Sequence, residues 1–179
     1  MTRGLRNCNP LNIRRVAGTQ WKGQAIFQSD KAFVQFETME WGLRAAFCIL
    51  RTYARKYKAV CIRDIIRRWA PQSENGTDRY IKNVCQWTGF GGLQRLTEKD
   101  WPRLVGAMAR QECGAVLSEE IINRSYKLYK NIKDDTGNQE QVVLTSFSPP
   151  LPPSCLPSGW HEKGKSSPPD LLCGKKSVS

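Results

Sequence analysis

LTEKDWPRLVGAMARQECG, residues 96 to 114, decides how the chain is read, because it is an amphipathic helix with a carboxylate on its apolar side. Trp101, Leu104, Val105, Met108 and Ala109 recur at helical spacing and define one buried stripe. Glu112 lies four residues after Met108 and seven after Val105, so it extends that stripe, while Arg103 and Arg110 point elsewhere. Thr97 with Asp100 three residues on reads as an N-terminal cap, Pro102 is tolerated only in a first turn, and Gly114 is a natural C-terminal stop. Glu112 then falls in the last turn. There the negative end of the helix dipole and an apolar surround both favour the neutral acid over the carboxylate. A carboxyl held protonated near neutral pH is what a general acid requires. The competing reading is a frayed helix end with a solvated Glu112. On physical grounds alone that is the commoner outcome, since perturbed carboxylates are a minority.

Working outward, the same period recurs on both sides. Ser118-Glu-Glu caps a helix to about Lys133 with Ile121, Ile122, Ser125, Tyr126 and Tyr129 inward. Upstream, Thr77 or Asp78 caps a helix whose buried side is Tyr80, Ile81, Val84 and Cys85. A shorter helix runs from about Cys61 to Trp69, and Pro71 ends it. The longest pattern, Met39 or Glu40 to Tyr57, places Leu43, Ala46, Phe47, Leu50, Tyr53 and Ala54 on one face, and Arg44, Arg51 and Arg55 on a face expected to be solvated. Gly89, Gly91 and Gly92 follow a helix and lack a Lys-Ser/Thr pair, so they form a helix stop and turn, not a phosphate loop.

Residues 1 to 20 show no sustained period and read as an ordered loop or a disordered arm, in which Asn7, Asn9 and Asn12 taken alone are turn formers. Trp21 to Phe27 and Lys31 to Glu37 read as two extended segments around Gln28-Ser29-Asp30, a small hairpin. Seven of the ten prolines and eight serines fall after residue 144. The expected organisation is one mainly α domain, residues 1–133, followed by a Pro/Ser-rich disordered tail, residues 134–179.

The formal charge is +12, and residues 1 to 135 hold 24 basic against 13 acidic residues, which favours a polyanionic partner without choosing among nucleic acid, anionic membrane and cell-wall polymer. No apolar run is long enough for a membrane span, and the first residues do not read as an export signal. The seven cysteines are odd in number and widely spaced, and read as reduced thiols. His161, the single histidine, falls in the tail, so Ser/His/Asp, Cys/His and His-ligated zinc chemistry lack a partner in the domain. Carboxylate catalysis remains, with no metal or cofactor expected.

Several motifs together resemble a known superfamily. MARQECG, residues 108 to 114, is similar to the helix end that carries the catalytic glutamate of lytic transglycosylases and lysozyme-like muramidases. ENGTDRYIKNV, residues 74 to 84, and WGLRAAFCILRTYARKYK, residues 41 to 58, resemble two later segments of those enzymes. Here the glutamate comes last, which implies a circularly permuted lysozyme-like domain. GLRNCNPLNIRR, residues 4 to 15, with Trp21-x-Gly23 and the run from Phe33 to Ala45, is similar to small phage virion-associated proteins of the RGIRNNNPxNIR type. Cys8 and Cys113 depart from the residues usual at those positions, Asn and Ser.

The resemblance implies that Glu112 is the catalytic acid, that Tyr80 lines the cleft, and that Asn7, Asn9, Asn12 and Trp21 bind substrate. It implies cleavage of the β-1,4 glycan of peptidoglycan by a monomer that reaches the wall as a virion-associated or released lytic protein. Two-carboxylate hydrolysis would need a second acid about 5 to 9.5 Å away. Glu40, Glu74 and Asp78 are candidates, each with a helix-end role as the alternative. A basic, non-enzymatic nucleic-acid-binding or virion structural protein is the rival from another class, with residues 61–69 and 77–88 as a helix-turn-helix lookalike.

Overall fold

The longest helical period in the chain becomes its central element. The computed structural model describes residues 1–70 and 74–135. Its regular structure is helical: α1 (Arg3–Arg6), α2 (Met39–Tyr57), α3 (Ile62–Trp69), α4 (Glu74–Thr88), α5 (Trp101–Cys113), entered through a 3-10 turn at Glu98–Asp100, and α6 (Glu119–Asp135). α2 is buried through every residue from Gly42 to Tyr53, because α6 lies along one flank and α5 along another. Phe47 meets Tyr126 and Tyr129 of α6 at ring-centroid separations of 5.2 and 5.7 Å, and Trp101 of α5 lies 6.1 Å from Tyr129. Such ring pairs add roughly 0.5–1.5 kcal/mol each beyond the burial itself.

That wide contact corrects the expectation for the basic side of α2. Arg44 and Arg51 are only 3% and 6% exposed, and the Arg51 guanidinium lies over the Tyr129 ring at 5.8 Å. Of the three arginines, Arg55 faces solvent as expected. The period locates the apolar stripe but not how far round the helix a neighbour reaches, and long arginine stems pack well under such a neighbour.

The N-terminal arm is ordered against the start of α2. Leu11, Ile13, Trp21, Val34 and Phe36 all join the core. Gly42 is what allows the approach, since a Cβ there would collide with the Cys8 carbonyl. The expected hairpin is corrected to isolated bridges, Gln24 with Phe36 and Arg14 with Phe33, and no strand forms among the described residues. The physical reason lies in two side chains. Gln28 accepts from the Gln35 N–H at 2.8 Å, so a side-chain amide takes the place of a ladder acceptor there, while the Gln35 carbonyl still accepts from the Ala25 N–H at 2.9 Å. Asn9 does the same for Ile13, and its Nδ2 also donates to the Val34 carbonyl at 2.8 Å.

Both ends of α5 follow their sequence signals. Thr97 and Asp100 form a reciprocal capping box, Pro102 sits in the first turn, and Gly114 closes the helix at φ 71°. α4 begins at Glu74 instead of at a Thr77 or Asp78 cap. Thr77 Oγ1 donates to the Ala70 carbonyl at 3.0 Å and so ties α4 to the end of α3. Among the described residues no helix is long and apolar enough to cross a membrane. The Pro/Ser-rich segment expected to be disordered lies outside the described residues beyond Asp135.

Candidate active site

Glu112 occupies the last turn of α5, at a meeting point of three helices and the N-terminal arm. The Gly114 N–H bonds back to the Arg110 carbonyl at 3.0 Å, so the turn that carries Glu112 is closed rather than frayed. The last turn of α3 supplies Trp69, α4 supplies Tyr80, and the arm supplies Asn12. Asn12 Nδ2 donates to Glu112 Oε2 at 3.2 Å and to the Glu112 main-chain carbonyl at 3.3 Å. Asn12 has φ 50°, a left-handed conformation that asparagine tolerates better than most residues, and that backbone turn delivers its amide to the carboxyl. One residue earlier in α5, Gln111 accepts from Asn83 Nδ2 of α4 at 3.0 Å and fixes the two helices beside the site.

The surround of Glu112 works in two directions. Glu112 keeps one edge at solvent but is otherwise enclosed, and desolvation raises its pKa above the ordinary glutamate value. Asn12, Tyr80 and Trp69, as hydrogen-bonding neighbours, pull the other way and favour the carboxylate. Tyr80 is buried, and its hydroxyl, which has no partner of good hydrogen-bond geometry, faces Glu112 closely enough that each affects the other's ionisation. Burial first, and then the Glu112 charge, push the Tyr80 pKa well up, so it stays a neutral donor wherever Glu112 titrates. Arg110 points away onto Trp87 at 4.2 Å, and no cation among the described residues is paired with Glu112. The carboxyl is therefore held by neutral donors alone. It can part with a proton and take one back without breaking an ion pair.

Of the residues singled out from sequence, the structure brings Glu112, Asn12 and Tyr80 together. Asn7 and Asn9 are placed elsewhere. Asn9 is fully buried with its amide bonded to backbone, and the buried Asn7 donates to Asp30 Oδ2 at 2.7 Å, so both organise the arm and neither offers its amide to a ligand. Trp21 belongs to the hydrophobic core. Trp69 carries no site signal in the sequence, because its helical spacing marks it only as an inward residue, which it also is.

Of the candidate second acids, the described ones are paired or exposed. Glu40 pairs with Arg124 at 3.2 Å, Asp78 stands exposed on α4, and the side chain of Glu74 lies outside the described residues. No described carboxylate perturbs Glu112. Asp30 is spent on Arg3, which grips both its oxygens at 2.6 and 2.7 Å, and this contact holds its carboxyl well below the usual carboxylate range. Five cysteines, Cys8, Cys48, Cys61, Cys85 and Cys113, are free thiols, and burial pushes each one's pKa up, away from the reactive thiolate.

No family model matches the chain. Over 115 residues it is 44% identical to Protein P5 of Pseudoalteromonas phage PM2, a match that spans 63% of this chain and 72% of that protein. At that identity and coverage the chain belongs to the family of the phage PM2 Protein P5.

Proposed function

We propose that this phage-related protein cleaves the β-1,4 glycan of peptidoglycan with Glu112 as its acid, on a circularly permuted lysozyme-like domain. The observation that carries the reading is an enclosed carboxyl in the last turn of α5, raised in pKa by desolvation, hydrogen-bonded by Asn12 and flanked by the neutral donors Tyr80 and Trp69. A raised pKa supplies the proton, and the donors stabilise the carboxylate left behind.

With no second acid among the described residues acting on Glu112, the simpler route is the one in which a single residue serves twice. Glu112 gives its proton to the glycosidic oxygen as the C1–O bond breaks. The resulting carboxylate then takes the proton from the sugar's own C6 hydroxyl as that oxygen closes on C1, which leaves a 1,6-anhydro end and restores the acid. The basic charge of the domain suits an anionic wall polymer.

The test is incubation with purified sacculi followed by mass analysis of the released fragments. Anhydro ends, one water lighter than hydrolysed ends, support the single-carboxyl route. Fragments with ordinary reducing ends would point to a water nucleophile and a second acid. Release of no fragments at all would remove the enzymatic reading and leave the basic virion protein.

A further inference from the structure

Arg103 and Arg110 stand two helical turns apart on the solvent side of α5, away from Glu112. Neither hangs free. The Arg103 guanidinium lies over the Phe90 ring at 5.3 Å, and that of Arg110 lies over Trp87 at 4.2 Å. Lys99 continues the row one turn earlier, on the exposed 3-10 turn. This row lines a groove of about 630 Å³ whose apolar lining includes Val116 and Leu117, in the loop before α6, and Ile122 of α6 itself. Val116 is 76% exposed, so its apolar side chain is open to an occupant of the groove. Among the described residues Glu119 is the one acid that lines the groove.

We propose that this groove binds single-stranded nucleic acid without sequence preference. Three features converge on that occupant. A row of cations along one helix face matches the charge of a linear polyanion. Guanidinium groups held against aromatic rings are pre-organised, and their outward planes are surfaces on which successive bases stack. The apolar wall then takes the sugar and base edges that a stacked strand turns away from water. A row of lysines would give the charge alone, and an acidic peptide would match the charge without using the planar faces. The site lies on the other side of α5 from Glu112, so it stands or falls independently of glycan cleavage.

The test uses the full chain and a fluorescein-labelled oligothymidylate about 20 nucleotides long, followed by fluorescence anisotropy between about 50 and 200 mM salt. Arg103→Ala with Arg110→Ala is expected to weaken binding at least about tenfold and to lower the salt slope by about 1.4, the share of two phosphate contacts on a single strand. The charge-matched control Arg55→Ala with Lys56→Ala, at the exposed end of α2, is expected to stay within about twofold. Arg103→Lys with Arg110→Lys keeps the charge and loses the planes, and is expected to bind several-fold more weakly than the unaltered chain. If the alanine pair melts early, the lysine pair alone carries the comparison. Equal weakening by the groove and control pairs, unaltered binding by the lysine pair, absence of binding by the unaltered chain, or equal competition by polyglutamate would each overturn the proposal.

Discussion

The side-chain amide of Asn12 reaches across 100 residues of sequence to hold Oε2 of Glu112 at 3.2 Å. The two residues belong to different layers of the fold: Glu112 rides on α5, while Asn12 sits on an arm fixed by Asp30, by the Asn9 amide and by the close seat of Cys8 on Gly42. The ionisation of the candidate acid is thus tied to the integrity of a segment with almost no regular secondary structure of its own.

That relationship gives a pH prediction. The Asn12 hydrogen bond favours the Glu112 carboxylate against the larger desolvation effect, so its removal raises the pKa further. Asn12→Gly keeps the left-handed backbone accessible and removes the amide, which limits the stability cost to about 1 kcal/mol. A general acid works while protonated. The alkaline limb of the activity profile should therefore move to higher pH in Asn12→Gly, and a limb that stays put or moves down would show that Asn12 does not tune Glu112.

The arm itself can be tested through Asp30. Its carboxylate accepts from Arg3, Asn7 and the N–H groups of Ala32 and Phe33, all within 3.0 Å. Asp30→Ala leaves the buried Asn7 amide and the buried Phe33 N–H without this acceptor, at a cost of roughly 2–4 kcal/mol and a fall in Tm on the order of 10 °C. The folded-state pKa of Asp30 is depressed, so its stabilisation is complete above the ordinary aspartate value, about pH 4, and is lost as pH falls toward the depressed folded value. The unaltered chain should lose more Tm than Asp30→Ala over that acid window. Parallel Tm curves for the two proteins below about pH 4 would rule out this role for the pair.

Gly42 offers a purely steric test. A Cβ at that position meets backbone, the Cys8 carbonyl, not the yielding end of a side chain. Gly42→Ala should cost about 1–3 kcal/mol, although alanine is the better helix former. It should also weaken cleavage by more than the Tm shift explains, because the displaced arm carries Asn12. A Gly42→Ala protein with raised Tm and full activity would mean that the arm does not need to sit this close.

Much of the frame could be read directly from the chain. α2 and α5 begin and end where their periods and caps put them, since Thr97, Asp100, Pro102 and Gly114 act through local geometry. The site was legible where its signal is local, in the place of Glu112 on an apolar stripe. It was less legible where the structure depends on long-range partners. Asn9 and Asn12 look alike in sequence, yet one is consumed by the backbone of Ile13 and Val34 and the other reaches Glu112. The arm departs from its hairpin reading because Gln28 satisfies the Gln35 N–H with a side chain, which no strand period encodes. Trp69 has the spacing of any core residue, and only the docking of α3 against α4 brings it beside the carboxyl.

Glu112 itself yields the decisive experiment. Glu112→Gln preserves the shape of the side chain and its acceptor for Asn12, and removes the transferable proton. If Glu112 is the acid, release of fragments from sacculi should fall at least about a hundredfold. Stability should move the other way. The folded-state pKa of Glu112 lies above its unfolded value, so the protonated form is the one that folding favours. Its contribution is fully present below the ordinary glutamate value, about pH 4.3, and is lost as pH rises through the folded pKa. Glutamine is neutral at every pH and also escapes the unfavourable dipole at the C-terminal end of α5, worth a few tenths to about 1 kcal/mol. The Tm of Glu112→Gln should therefore match that of the unaltered chain in acid and exceed it near and above neutrality. An inactive variant with that divergence marks a carboxyl kept for chemistry at the expense of stability. A variant that digests sacculi at the unaltered rate sinks the proposed mechanism whatever its Tm.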